Sequence, residues 1–104
     1  MLHLVDTVEV EPEHVADYLV AVRDVGIPVM TGAGASFVSC ATAAGTGDAT
    51  SIQVVWGCAD YEQWNDIRMR LVLDPRWYEY GARIASLRTG GTRRFYTPTP
   101  LSSP

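Results

Sequence analysis

In the run LHLVDTVEV, residues 2–10, Asp6 shares one face with Leu2, Leu4, Val8 and Val10, while His3, Val5, Thr7 and Glu9 share the other. A carboxylate on the apolar face of a strand loses its water once that face is covered. Desolvation disfavours the charged form, raises the pKa, and readies the acid to take or give a proton on a small molecule beside it. The structural alternative is an acid paired with an arginine or capping a helix terminus. His14 and Tyr61 complete the candidate catalytic set, because an imidazole titrates near neutrality and a phenol can donate a proton to an enolate or orient a carbonyl. For His14, in the first turn of a helix, the alternative is a solvated surface residue. Tyr18, Trp56, Trp64 and Tyr80 are candidates for binding a substrate, since such side chains line pockets for flat, apolar ligands. Core packing is their alternative, above all for Trp64 and Trp77. Arg94, and also Arg68, could hold a carboxylate, against the alternative of a surface or dimer salt bridge.

Other chemistries find no support in the residues. His3 and His14 are the only imidazoles and have no partner at metal-ligand spacing, so no metal is expected; His3 reads as an interface histidine. The glycines of TGAGAS, residues 31–36, follow a helix and precede a strand, the reverse of the order a phosphate cradle needs, and the chain has no lysine. No nucleotide or other cofactor is expected. Cys40 and Cys58 lack CxxC spacing and read as small buried hydrophobes with free thiols.

The elements that must position these groups follow from periodicity and punctuation. The 104 residues, 47% hydrophobic and 19% charged, make one domain. No run approaches the ~20 apolar residues of a membrane helix. A net charge of −4 argues against nucleic acid, and the reading is of a soluble, cytoplasmic protein. All eight bases are arginine: residues 1–66 carry ten acids and Arg23 alone, residues 67–104 seven arginines and two acids. That asymmetry could steer an anionic ligand, or the halves could neutralise each other within one fold. Residues 2–10 form a strand. Pro12 opens a helix with Val15, Tyr18, Leu19 and Val22 as its stripe, expected to end near Gly26 and Pro28. FVSCATA and SIQVVWGC form a hairpin across the glycine-rich AAGTGDA. Asp60 caps a second helix, with Gln63 at the capping-box position, and Asp74-Pro75 opens a third that Gly90-Gly91 is expected to stop. TRRFYT is a short last strand before a Pro/Ser tail at 99–104.

The order β-α-β-β-α(α)-β is that of an α+β, ferredoxin-like βαββαβ fold, a four-stranded antiparallel sheet with helices on one face. Val5, Val38 and Val55 fall on the other face, too apolar to stay wet, so a homodimer closing as a dimeric α+β barrel is expected.

VEVEPEHVADYL at the first strand and helix, GIPVM after it, VVWGCADYEQW, LDPRWYEYGARI and a closing strand with a Tyr-Thr-Pro end resemble the NIPSNAP family within the dimeric α+β barrel superfamily, across residues 1–98. Asp74-Pro75-Arg76-Trp77 is the most specific part; Pro12-Glu13 stands where the family often has Pro-Gly. The resemblance implies the fold, a dimer and a pocket between sheet and helices in each subunit. The superfamily it implies includes cofactor-free monooxygenases, cyclases, isomerases and haem-binding enzymes. The strand asparagine and helix histidine that haem degradation needs there are missing, with Asn65 the sole asparagine and no histidine after His14. The expectation is a small cofactor-independent enzyme acting by proton transfer on an apolar or polycyclic ketone-like metabolite, as cyclase, isomerase or dehydratase. The alternatives are a cofactor-free monooxygenase of an aromatic metabolite and a non-catalytic NIPSNAP-type ligand-binding or assembly module.

Overall fold

A computed structural model describes residues 1–43 and 50–101. Strand β1 (Leu2–Val10) follows the expected alternation and is central in a four-stranded sheet of order β2-β3-β1-β4, with β2 (Ser36–Thr42), β3 (Thr50–Cys58) and β4 (Arg88–Tyr96) all antiparallel to their neighbours. The sheet carries its helices on one face, and the molecule measures 38 × 38 × 18 Å, two layers deep. Residues 44–49 of the expected hairpin turn and 102–104 of the tail lie outside the described residues.

The core is the apolar face of β1 and β3, where Leu4 stands opposite Trp56 and Val8 opposite Ile52, closed by Tyr18, Val22, Met30, Ile67 and Leu71 from the helices. The second and third helices start where their caps dictate. The Asp60 carboxylate accepts from the Gln63 N–H at 2.8 Å before α3 (Tyr61–Leu71), and Asp74 accepts from the Arg76 N–H at 2.9 Å before α4 (Pro75–Leu87). Gln63 reaches back to the N–H of Ala59, one residue before the cap.

Two boundaries differ from the expectation. The first helix does not end at Gly26 or Pro28. After α1 (Val15–Ala21), a π-helical turn at Val22–Gly26 lets the Ile27 N–H donate to the Val22 carbonyl, and α2 (Ile27–Gly32) continues with Pro28 in its first turn, where a missing N–H costs nothing. The stop lies in TGAGAS: Gly34, at φ 112°, takes the left-handed position, with the Ala35 N–H on the Met30 carbonyl and the Gly34 N–H on that of Thr31. At the other end, α4 stops at Leu87, and Gly90-Gly91 lies inside β4, because the β1 ladder captures the chain from Arg88 onward. Cys58 is buried as expected, but Cys40 is exposed on edge strand β2; both are free. On the open face Val5 pairs with Val55, and Val38 overhangs Gly57.

Candidate functional site

A cavity of about 400 Å³ lies between the sheet and the helices. Its floor is Asp6 and Val8 of β1, Val54 and Trp56 of β3 and Gly91 and Arg93 of β4; its roof is Tyr18 of α1, Met30 of α2 and Trp77, Tyr80 and Ile84 of α4. Tyr80 reaches it by crossing the π-helical turn over bare backbone, since a Cβ on Gly26 would stand 2.8 Å from the ring carbon that bears its hydroxyl.

Asp6 is paired with an arginine, the alternative that the sequence left beside the desolvated acid. Cross-strand register sets it opposite Arg93, whose guanidinium grips it with both arms, Nε to Oδ1 at 2.6 Å and Nη2 to Oδ2 at 3.0 Å. Trp56 Nε1 donates to Oδ2 at 3.3 Å. Oδ1 thus accepts one bond and keeps a lone pair open. The pair is partly wetted, with side-chain exposures of 37% for Arg93 and 21% for Asp6. The guanidinium also lies 5.5 Å above the Trp64 ring, a cation–π contact.

Tyr18 and Tyr80 are 2% and 6% exposed. Burial, with Asp6 adding to it and Arg88 and Arg93 opposing, pushes the Tyr18 hydroxyl up to about 12. Tyr80 is held higher still, by burial first and then by Tyr18 and Asp6. Among the described residues no hydrogen bond from either hydroxyl to the protein is formed, and both side chains line the cavity, the Tyr80 hydroxyl lying close to the Gly26 backbone. Both are neutral hydrogen-bond donors at neutral pH.

Of the residues singled out in the sequence, Asp6, Tyr18, Trp56 and Tyr80 meet here. Trp64 lines an adjoining cleft of about 220 Å³ with Arg68 and Leu71, sharing Trp77 and Arg93 with the main cavity. Three others lie elsewhere. Tyr61 is exposed and packs on Phe95 at 5.5 Å, and Arg94 stands opposite Val5 on the open face. His14 sits in a 3-10 turn (Pro12–His14) beside Glu11 and Glu13, their polar atoms within 4.8 Å of one another. Sequence reasoning missed Arg93 and Arg88; Trp77 packs against the core, as favoured for it, and also lines the cavity. Alternation in TRRFYT does group Arg93 with Phe95, but which face they share is decided only by the β1 register.

A family model described as NIPSNAP matches residues 6–103. No curated protein matches the sequence. Among solved structures, the chain is similar to a NIPSNAP domain protein from Burkholderia xenovorans, at 26% identity and a TM-score of 0.84 with all of both chains covered. It is similar also to a NIPSNAP family protein from Agrobacterium tumefaciens, at 22% identity and a TM-score of 0.81, covering 97% of this chain and 95% of that one. An antibiotic biosynthesis monooxygenase shares the fold at 12% identity and a TM-score of 0.66, over 96% of this chain and all of the other.

Proposed function

The chain belongs to the NIPSNAP family, and on that footing we propose that the cavity is the working site of a small cofactor-independent enzyme, acting by proton transfer on an apolar or polycyclic ketone-like metabolite as a cyclase, isomerase or dehydratase. The two tyrosines carry the reading: neutral phenols that line one cavity with the Asp6 carboxylate and, among the described residues, are bonded to no protein group. A ketone oxygen set against them accepts their hydrogen bonds as it gains enolate charge. Asp6 Oδ1 takes the proton from the neighbouring carbon; the C–H electron pair becomes the enolate double bond, and the proton returns to the same or another carbon.

Proton transfer is measurable without the natural substrate. In D2O the protein is expected to exchange the α-hydrogens of 2-tetralone faster than buffer does, followed by NMR. Tyr18→Phe and Tyr80→Phe should each slow that exchange by about 10- to 10³-fold. Tetralone bound but not exchanged would leave the ligand-binding module, and dioxygen uptake in place of exchange would point to the monooxygenase.

The same reading takes the protein as a cytoplasmic homodimer with two sheets face to face, without nucleic acid or membrane as partner; the half-buried Val5 and the 45%-exposed Val38 on the face without helices support the dimer. Light scattering should give twice the 11.4 kDa chain mass, and Val55→Asp should return it to one chain mass. A wild-type monomer would overturn the dimer.

A further inference from the structure

β1 and β4 stay in step from His3 opposite Tyr96 to Glu9 opposite Gly90, and then the register shifts, with Val10 facing Arg88 and Thr89 passed over. Along β4, Gly91, Arg93 and Phe95 stand opposite Val8, Asp6 and Leu4, on the helix side. Strict alternation would place Thr89 there and turn Arg88 to the open face. The bulge reverses the parity, so Arg88, itself exposed to solvent, falls opposite the fully buried Val10 and lines the rim of the cavity. Gly91 keeps its course clear: a Cβ there would lie 3.3 Å from Arg88 Nη1 and 3.1 Å from Val8 Cγ1.

Among the described residues the charges of the cavity wall do not balance. Asp6 and Arg93 neutralise each other through two hydrogen bonds. Among the described residues the ion pairs are Arg23–Asp24, Arg76–Asp74 and Arg93–Asp6, so Arg88 meets no carboxylate. Aromatic walls, two phenol donors and one guanidinium without a carboxylate partner among the described residues complement a flat anion. A carboxylate is the group whose two oxygens match the planar fork of a guanidinium.

Resting on the cavity reading above, we propose that the ligand of this site is an aromatic or alicyclic carboxylate, its rings between Trp56 and Trp77 and its acid group held by Arg88. This narrows the ketone-like metabolite to a keto acid or its anionic product, and makes Arg88 a specificity-determining residue that takes no part in the proton transfer.

The test uses 2-naphthoate and its neutral isostere 2-naphthamide, titrated into the protein while the indole N–H signals of Trp56 and Trp77 are followed by NMR. Naphthoate is expected to bind about ten- to a hundred-fold more tightly than the amide, and raising the salt should narrow the gap. Arg88→Gln should erase the preference by weakening naphthoate alone. Arg88→Lys should restore part of it. Arg83→Gln, which removes the same charge from the exposed side of α4, should leave it intact. Equal affinity for acid and amide in the wild type, or a preference that survives Arg88→Gln, overturns the anion while leaving the cavity as a binding site. If neither compound shifts the two indole signals, the cavity reading falls, and this inference with it.

Discussion

Asp6→Asn is expected to slow α-proton exchange by about 10²- to 10⁴-fold while the protein remains folded, the loss typical of removing a positioned proton acceptor. The amide is nearly isosteric, and its oxygen in the place of Oδ2 can accept from Arg93 Nη2 and from the Trp56 indole, but its NH2 then faces the Arg93 Nε–H, donor against donor, so half of the bidentate grip goes. What it loses is charge and one acceptor. Breaking a fully buried ion pair costs about 3 to 5 kcal/mol, but Arg93 is already 37% exposed and water can take over part of its solvation, so a loss of about 1 to 2 kcal/mol is expected here. Exchange rate and melting temperature measured on one sample separate the roles. A large fall in stability with exchange per folded molecule unchanged would make Asp6 a structural partner of Arg93. If neither moves, it has no part in either.

Trp56→Ala should cost about 3 to 5 kcal/mol, the range for truncating a core tryptophan. The ring is 3% exposed, stands opposite Leu4 on one neighbouring strand and Phe37 on the other, and meets Phe37 edge-on at 5.6 Å. It also orients the Asp6 carboxylate through Nε1. Trp56→Phe separates the two contributions, because it keeps an aromatic ring in the core and removes the N–H, so it should retain most of the stability and lose part of the exchange rate. Denaturant unfolding at fixed protein concentration gives the difference, since association would otherwise add to apparent stability. A cost below about 1 kcal/mol for the alanine variant would mean that the ring is not a core member.

The sequence by itself determined the main strands and helices and, for β1, β3 and α1, the layer each face belongs to. Period-two alternation in residues 2–10 and 51–58 and the stripe from Val15 to Val22 are set by local geometry, as are Asp60 and Asp74 at their helix starts, so each is legible without knowing its neighbours. Asp6 and Tyr18 were legible as cavity residues for the same reason, because a side chain's face follows from its own strand or helix. The tertiary structure alone decided their partners. Arg93 rather than Arg94 meets Asp6 because cross-strand register sets which β4 residues share its face, and a shift of one residue would exchange them. Arg88 enters the cavity through a bulge that no composition or spacing announces. Pro28 reads as a stop until the π-helical turn before it moves the hydrogen bonds by one residue, and Gly26, which reads as a helix end, is the gap that Tyr80 crosses. Tyr61 and Tyr80 are alike in their own segments, yet one lies on the surface against Phe95 and the other under α4, since burial depends on how the helices pack across the sheet. In β1, β3 and α1 a residue's face follows from the local pattern; in β4 the face itself, like every partner, is a property of the assembled sheet and helices.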